Sequence, residues 1–215
     1  TFELVSQRLG IDMKKQTISI HPRVATTIGG IATDEHGRAI TGRWSRWFTG
    51  LYAAGDSACS GLHGAGLIAG NRLLDAMAGG AAAGEHAAAH AAKASHTGRA
   101  ALETALGAAE ADLDFDMAAA EEGPVQRTGP LFAKLGDIMQ SSMGLTRGAE
   151  GLESALESLE SLADSAGKLH LDDSSRLFNT NLLEALRLKA GVRLAIASVR
   201  SALSRTESRG THQRT

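Results

Sequence analysis

The chain has 215 residues, of which 43% are hydrophobic and 21% charged, with a formal net charge of -2. This is enough for a hydrophobic core and for one large domain or two small ones. The single cysteine, Cys59, excludes an internal disulfide framework and fits a reducing compartment, so the cytoplasm is the expected location. No apolar run reaches the about 18 residues of a membrane span, and we expect no direct membrane insertion.

The charge is distributed unevenly along the chain. Residues 101–164 hold 13 acids against 3 bases, a net charge of -10, whereas residues 176–214 hold 8 bases against 2 acids, a net charge of +6. We expect the acidic segment to pack on the basic one, because nucleic-acid binding would require the basic patch to be uncompensated. The pattern therefore predicts no nucleic-acid partner.

The amino-terminal part has the signals of short strands. Residues 16–20 alternate polar and apolar side chains and include β-branched residues, which predicts a strand. Residues 28–33 are followed by a turn cluster at 34–37 and then by residues 38–41, which predicts a hairpin. The chain begins without a methionine or a nucleotide-binding glycine turn, so we expect a piece of a longer polypeptide.

A strand, a turn and a long helix follow. Leu51 to Ala54 predicts a buried strand that ends at a turn formed by Gly55 and Asp56. After a glycine-rich stretch, residues 71–93 predict a long helix. Asp56 can place its carboxylate beside a ligand hydroxyl, and the free N–H groups at the helix start can stabilise negative charge. An ordinary strand and turn would give the same local pattern.

Beyond residue 95 the pattern becomes helical. Three apolar stripes with gaps of three, four or seven residues predict three helices that bury one another as a bundle. The segment before the first helix contains helix-breaking residues, namely Gly123, Pro124, Gly129 and Pro130. The third helix is preceded by possible capping residues, namely Asp172, Asp173 and Ser174. The stripes are Leu131, Leu135 and Ile138; Leu152, Leu156, Leu159 and Ala163; and Leu182, Ala185, Val192, Ile196, Val199 and Leu203.

Several motifs together resemble one family. In chain order they are TIGGIATD at 27–34, the segment 51–56, His63-Gly64-Ala65, and Gly70-Asn71 with Leu73-Leu74-Asp75; RTESRGTHQR at 205–214 ends the series. They resemble the flavoprotein subunits of succinate dehydrogenase and fumarate reductase, and L-aspartate oxidase is a related alternative. The resemblance implies that FAD is held by Gly29, Gly30, Gly55, Asp56, His63, Asn71, Arg72, Leu73 and Leu74.

The resemblance also implies an organisation and a function. The fold class would be α/β: part of a Rossmann-like FAD-binding domain followed by an α-helical bundle domain. Residues 1–21 would end a capping domain, 22–94 would be the C-terminal part of the FAD-binding domain, and 95–215 the helical domain. The enzyme would transfer a hydride between the flavin and a dicarboxylate-like substrate and pass electrons to an iron–sulfur subunit. Such partner subunits would hold it on the inner face of the cytoplasmic membrane.

The substrate positions depart from the family pattern. Where the family has a His-Tyr pair that contacts a substrate carboxylate, this chain has Ala25 and Thr26. Where the family has an Asn-Arg pair whose Arg clamps a carboxylate, this chain has Gly66 and Leu67. An alkyl group cannot replace a bidentate cation. These changes favour a second alternative, a catalytically silent relative that acts in subunit assembly, and the catalytic residues stay unassigned.

The cofactor positions change less. The family's Gly-Glu pair is Gly55-Asp56 here, and its Gly-Asn-Ser is Gly70-Asn71-Arg72, so that Arg72 stands where the family has a serine. Other candidates rank lower. The tripeptide at 95–97 matches the family's covalent flavin tether but lies in the wrong part of the chain. The histidines near it lack an acid or a cysteine to complete a metal site, so we predict no metal.

Overall fold

The computed structural model describes residues 2–20, 27–41, 46–64, 66–113, 126–173, 175 and 177–215. The chain forms two compact units, one comprising Thr1–His63 with Leu67–Ala89 and the other Gly64–Gly66 with His90–Thr215. Some residues discussed above lie outside the described ranges, namely Ala25, Thr26, Ala65, Gly123, Pro124, Ser174 and Arg176.

The first unit combines two short sheets with a long helix. Its elements are α1 (Phe2–Leu9), β1 (Ile31–Ala32), β2 (Arg38–Thr41), β3 (Arg46–Tyr52), a 3-10 helix (Gly55–Ser57), β4 (Ala58–Cys59) and α2 (Asn71–Ala91). Strand β1 runs parallel to β4, with Ile31 opposite Ala58. Strands β2 and β3 are antiparallel, with Arg38 opposite Tyr52. The predicted helix at 71–93 is confirmed as α2.

The predicted strand at residues 16–20 is wrong. The segment follows a turn in which the Gln16 N–H donates to the Asp12 carbonyl at 2.8 Å, and Ile20 is 88% exposed. Alternation only assigns side chains to two faces, and a strand also needs a neighbour for its backbone groups. Residues 16–20 pair with no strand in the described ranges. Helix α1 was not predicted, because its eight residues are fewer than the about 11 over which helical periodicity is recognised.

The predicted hairpin is only partly formed. A single antiparallel bridge joins Thr33 to Ala39 across the turn at 34–37, while the longer pairings are those of β1 with β4 and β2 with β3. The predicted buried strand at 51–54 is also incorrect, because Leu51 belongs to the mostly exposed β3 and is itself 40% exposed. Only Ala53 of that segment is buried. The apolar run therefore indicated a strand but not its burial.

The turn at 34–37 predicts a dependence of stability on pH. Asp34 Oδ1 accepts the N–H groups of His36 and Arg38, each at 3.0 Å, and Oδ2 accepts Nε of Arg38 at 2.6 Å. Burial raises the pKa of Asp34, but these bonds outweigh burial and lower the pKa below its usual 3.8. A lowered pKa stabilises the fold above pH 3.8, and this contribution is lost as the pH falls through the folded-state value.

We expect the thermal midpoint of the protein to fall on acidification below about pH 4, and to fall less steeply in Asp34→Asn, which cannot titrate there. At neutral pH the variant should be less stable, because its neutral amide cannot form the charge-assisted bonds to Arg38. Circular dichroism melts from pH 2 to pH 7 measure both effects. Identical pH profiles for the two proteins would contradict this account of the turn.

The second unit is an α-helical bundle. It contains α3 (Arg99–Leu113), α4 (Thr128–Ser142), β5 (Thr146–Arg147), α5 (Ala149–Gly167), α6 (Thr180–Ser204) and β6 (Gln213–Arg214). Helices α4, α5 and α6 enclose one apolar core, and the three predicted amphipathic helices are confirmed. Glu160 of α5 and Arg200 of α6 form an ion pair at 2.8 Å, as expected for an acidic segment packed on a basic one. The core includes Leu131, Leu152, Ala155, Leu159, Leu162, Leu188, Val192 and Val199.

The predicted cap of the third bundle helix is corrected by the structure. Helix α6 begins after Asn179, whose Oδ1 accepts the N–H of Leu182 at 2.8 Å. Its amide nitrogen donates to the carbonyls of Asp173 and Ser175, each at 2.8 Å. Asp172 and Asp173 lie in the preceding loop and do not cap the helix. The oxygen and the nitrogen of the Asn179 amide are therefore both hydrogen-bonded, which explains why this polar residue is buried.

The RTESRGTHQR segment follows α6 and contacts the residues between α4 and α5. Strand β6 runs parallel to β5 with Arg147 opposite Arg214, and His212 is buried with Nδ1 3.0 Å from a guanidinium nitrogen of Arg147. Since arginine can only donate, Nδ1 must accept. Burial, followed by the charge of Arg205, lowers the pKa of Arg147. The segment is therefore held by strand pairing and by the His212–Arg147 contact to the connection between α4 and α5.

The described residues include no helix that is long and apolar enough to cross a membrane. Within the same ranges, no group of three or more His, Cys, Asp or Glu side chains is arranged to hold a metal ion.

Candidate functional site

The centre of the site is a contact between the turn after β3 and the first turn of α2. Asp56, in the 3-10 helix, forms an ion pair with Arg72, whose Nε lies 2.7 Å from Asp56 Oδ2 and whose Nη2 contacts the same oxygen. Gly55 has a φ of 60°, and a Cβ there would lie 3.1 Å from the Cβ of Ala76. The glycine thus allows the turn to lie close to the helix.

Gly30 brings a third segment to the same place. A Cβ on Gly30 would lie 2.4 Å from the Ser57 carbonyl oxygen, and its φ is 138°. The two backbones approach closely because Ile31 then pairs with Ala58 in the parallel β1–β4 ladder. Only glycine fits this position. The segment that contains Gly29 and Gly30 therefore borders the Asp56 turn.

His63 connects the glycine-rich loop to the same helix. Its Nε2 lies 3.2 Å from Oδ2 of Asp75, and the two side chains are 17% and 24% exposed. The Nε2 atom is buried, but its orientation toward the carboxylate does not meet hydrogen-bond geometry. The contact thus places an imidazole one helical turn beyond Asn71 and Arg72.

The start of α2 offers backbone donors. The first N–H groups of a helix have no partner within the helix and carry a partial positive charge. That of Asn71 donates to the Ile68 carbonyl at 3.1 Å, while those of Arg72 and Leu73 have no acceptor among the described residues. The expectation of free amides at this helix start therefore holds for two residues but not for Asn71. Two N–H groups and a guanidinium make this end of the helix attractive to an electron-rich group.

The structure brings together six of the nine predicted site residues: Gly30, Gly55, Asp56, His63, Asn71 and Arg72. The other three differ. Gly29 has open space where a Cβ would stand, and Leu73 and Leu74 are 70% and 64% exposed without a polar contact. The roles of all nine residues in cofactor binding remain predictions.

Two contacts of the site were missed from the sequence. The Asp56–Arg72 pair joins residues 16 positions apart, and Asp75 was part of a motif but was not assigned to the site. For Asp75 the sequence contained one signal of a place in the site. Asp75 lies four residues after Asn71 and therefore on the same face of α2. The side-chain pairing itself has no signature in one sequence.

Comparisons with known proteins identify two matching family models and several relatives. Residues 2–73 match the family model described as an FAD binding domain, and residues 132–215 match the model of the fumarate reductase flavoprotein C-terminus. The Escherichia coli fumarate reductase flavoprotein subunit is 31% identical over 212 residues, which is 99% of this chain and 34% of that protein. The Coxiella burnetii succinate dehydrogenase flavoprotein subunit is 34% identical over 223 residues, covering 99% and 36%.

Solved structures give the same result. A variant of the E. coli quinol fumarate reductase FrdA superposes with a TM-score of 0.83 at 30% identity, covering all of this chain and 35% of that one. The Mycobacterium smegmatis Sdh1 complex gives 0.82 at 26% identity, with coverages of 100% and 34%. Adenylylsulfate reductase from Archaeoglobus fulgidus, at 22% identity and a TM-score of 0.55, shares the fold.

The fold and the matched models define part of an FAD-binding domain followed by a helical C-terminal domain, as predicted. More specifically, the chain belongs to the family of succinate dehydrogenase and fumarate reductase flavoprotein subunits. It spans about a third of the length of the curated relatives it matches. The predictions of the family, of its fold class and of FAD as its cofactor are confirmed.

Proposed function

We propose that the full-length protein is the FAD-dependent oxidoreductase subunit of a succinate dehydrogenase or fumarate reductase complex. It would exchange a hydride between its flavin and a dicarboxylate-like substrate, and an iron–sulfur subunit would carry the electrons onward. The supporting observation is the contact of Asp56 with the first turn of α2, which brings a carboxylate and free helix N–H groups to one place. Partner subunits would keep the protein peripheral on the inner face of the cytoplasmic membrane.

The residues present fit the cofactor. Asp56 Oδ1 accepts no hydrogen bond within the described ranges and is free for a hydroxyl of the ribitol chain. The free N–H groups of Arg72 and Leu73 are suited to an electron-rich ring edge. Gly30, which has no side chain, lets its backbone lie against the Ser57 carbonyl beside the turn. When bound, FAD supplies the hydride-accepting and hydride-donating ring.

The residues of this chain then have two tasks. Asp56 orients the cofactor by accepting a ribitol hydroxyl, and the start of α2 stabilises the negative charge that develops on reduction. The positions where the family holds a substrate carboxylate lack their cationic groups, since Leu67 stands in place of an arginine. The dicarboxylate-like substrate class is therefore proposed from the family alone, and no member of that class is chosen.

The flavin content of the full-length protein tests the proposal first. We expect a yellow protein after gentle purification, with the absorbance bands of oxidised flavin. Succinate-dependent reduction of a dye then tests the substrate class. Bound FAD without succinate turnover would indicate another substrate. Absence of flavin, together with failure to bind added FAD, would contradict the enzyme proposal and favour the silent assembly subunit.

Asp56→Asn tests the assigned contact. The variant keeps the size of the side chain but loses the charge that accepts a hydroxyl most strongly. We expect about tenfold weaker FAD binding, which corresponds to about 1.4 kcal/mol. Titration of the apoprotein followed by flavin fluorescence measures the dissociation constant. Glu85→Gln, at an exposed position in the second half of α2, serves as the control, and equal affinities for the two variants would contradict the role of Asp56.

A further inference from the structure

Arg72 is the departure from the family pattern whose role the resemblance leaves open, since the family has a serine at this position. In the structure Arg72 contacts Asp56, which itself replaces the family's glutamate. The two substitutions thus touch each other, although they lie 16 positions apart. A shorter carboxylate has been combined with a long cationic side chain.

The two oxygens of the Asp56 carboxylate have different surroundings. Both contacting nitrogens of Arg72, Nε and Nη2, donate to Oδ2 of Asp56. Its other oxygen, Oδ1, accepts nothing within the described part of the chain. Two donors on one oxygen restrict the rotation of the carboxylate and leave the second oxygen available.

The pair is also poorly suited to a purely structural role. The side chains of Arg72 and Asp56 are 58% and 50% exposed, and exposed ion pairs contribute little to folding stability. The pair lies at the start of α2, beside the free N–H groups of Arg72 and Leu73. The hydrogen bond to Asp56 raises the pKa of Arg72, so the guanidinium stays charged at any working pH.

We propose that Arg72 is a positioning residue for FAD: it holds Asp56 so that the free oxygen faces the ribitol hydroxyl. The inference rests on the proposed function. Aspartate is one methylene shorter than the family's glutamate, so its carboxylate reaches less far and fewer of its orientations can meet the hydroxyl. Fixing a side chain in its bound conformation strengthens binding because less freedom is lost on association.

The test compares Arg72→Gln, Arg72→Lys and a matched control, Arg99→Gln, in the full-length apoprotein titrated with FAD. Arg99 forms an exposed ion pair with Glu103 at 2.8 Å, remote in sequence from the turn. We expect five- to tenfold weaker FAD binding for Arg72→Gln and a smaller loss for Arg72→Lys, which keeps the charge. The control should bind within twofold of the natural protein.

The mechanism is tested by repeating Arg72→Gln in an Asp56→Asn background. If Arg72 acts through Asp56, the second substitution adds less than a twofold loss there. Losses that multiply in the double variant would overturn the inference, as would an Arg72→Gln affinity equal to that of the control. A fall in the FAD-free thermal midpoint of Arg72→Gln that accounts for its weaker binding would show a structural role and overturn it too.

The two proposals fail in different ways. If the natural protein binds no FAD under any condition, the proposed function fails and this inference falls with it. If the natural protein binds FAD and Arg72→Gln binds it equally well, only the positioning role is wrong.

Discussion

Replacing Gly30 with alanine is expected to disrupt the first unit and to abolish FAD binding by the full-length protein. The new Cβ would lie 2.4 Å from the carbonyl oxygen of Ser57 and 2.8 Å from its carbonyl carbon. Neither backbone can yield without breaking the β1–β4 pairing that begins at Ile31 and Ala58. We expect a cost of about 3 kcal/mol or more, combining the clash with the positive φ. Thermal melts and FAD titration measure the two consequences.

Gly29→Ala is the matched comparison for this change. Gly29 has a φ of 135°, close to the 138° of Gly30, but nothing lies within 4 Å of the position of its Cβ. Both variants therefore carry a similar backbone strain, and only Gly30→Ala adds the clash. We expect Gly30→Ala to be more destabilising by at least about 1 kcal/mol. Equal losses for the two variants would contradict the close approach of the Gly30 and Ser57 backbones.

Leu159→Ala is expected to destabilise the helical bundle by about 3 kcal/mol. Leu159 on α5 is fully buried, together with Leu152 and Leu162, in the core between α5 and its neighbours. Truncation removes buried methyl groups and leaves a cavity, and such changes cost about 2–5 kcal/mol in well-packed cores. Chemical denaturation followed by far-ultraviolet circular dichroism measures the loss.

Leu194→Ala on α6 separates burial from helix propensity. Leu194 is 69% exposed, so its truncation removes little buried surface. Leucine and alanine are both good helix formers, and we expect a change within about 0.5 kcal/mol. A loss for Leu194→Ala comparable to that of Leu159→Ala would contradict the assignment of the core.

The helical bundle could be predicted because an apolar stripe is a local pattern that recurs along each helix. The stripe through Leu152, Leu156 and Leu159 recurs at helical spacing; α5 buries Leu152 and Leu159 fully, and Leu156 packs against the core while partly buried. The cap of α6 was not predictable from the same rules. Asp172, Asp173 and Asn179 all have suitable side chains. Asn179 caps the helix because its amide also holds the preceding loop through the carbonyls of Asp173 and Ser175.

The strands were less predictable because their partners are remote in sequence. Alternation at residues 16–20 satisfies the local condition for a strand, but no described strand lies beside it. The parallel pairing of Ile31 with Ala58 joins residues 27 positions apart and depends on the absence of a side chain at Gly30. Neither condition can be recognised in a window of a few residues.

The elements that form the candidate site could be predicted from the sequence, but the side-chain contacts between them could not. The glycine turn at Gly55 and the start of the long helix at Asn71 follow from local pattern, and the family resemblance joined them. The Asp56–Arg72 ion pair did not follow, because the family offers no arginine at that position. Departures from a family pattern thus gain meaning when the structure shows that two of them are in contact.

The central claim is that the Gly55–Ser57 turn and the start of α2 together hold the flavin. Hydrogen–deuterium exchange of the full-length protein, with and without FAD, tests it most directly. The account predicts that added FAD slows exchange at residues 55–59 and 71–74, while α5 and α6 exchange at unchanged rates. FAD binding that leaves both segments of the turn and helix unprotected would contradict the claim.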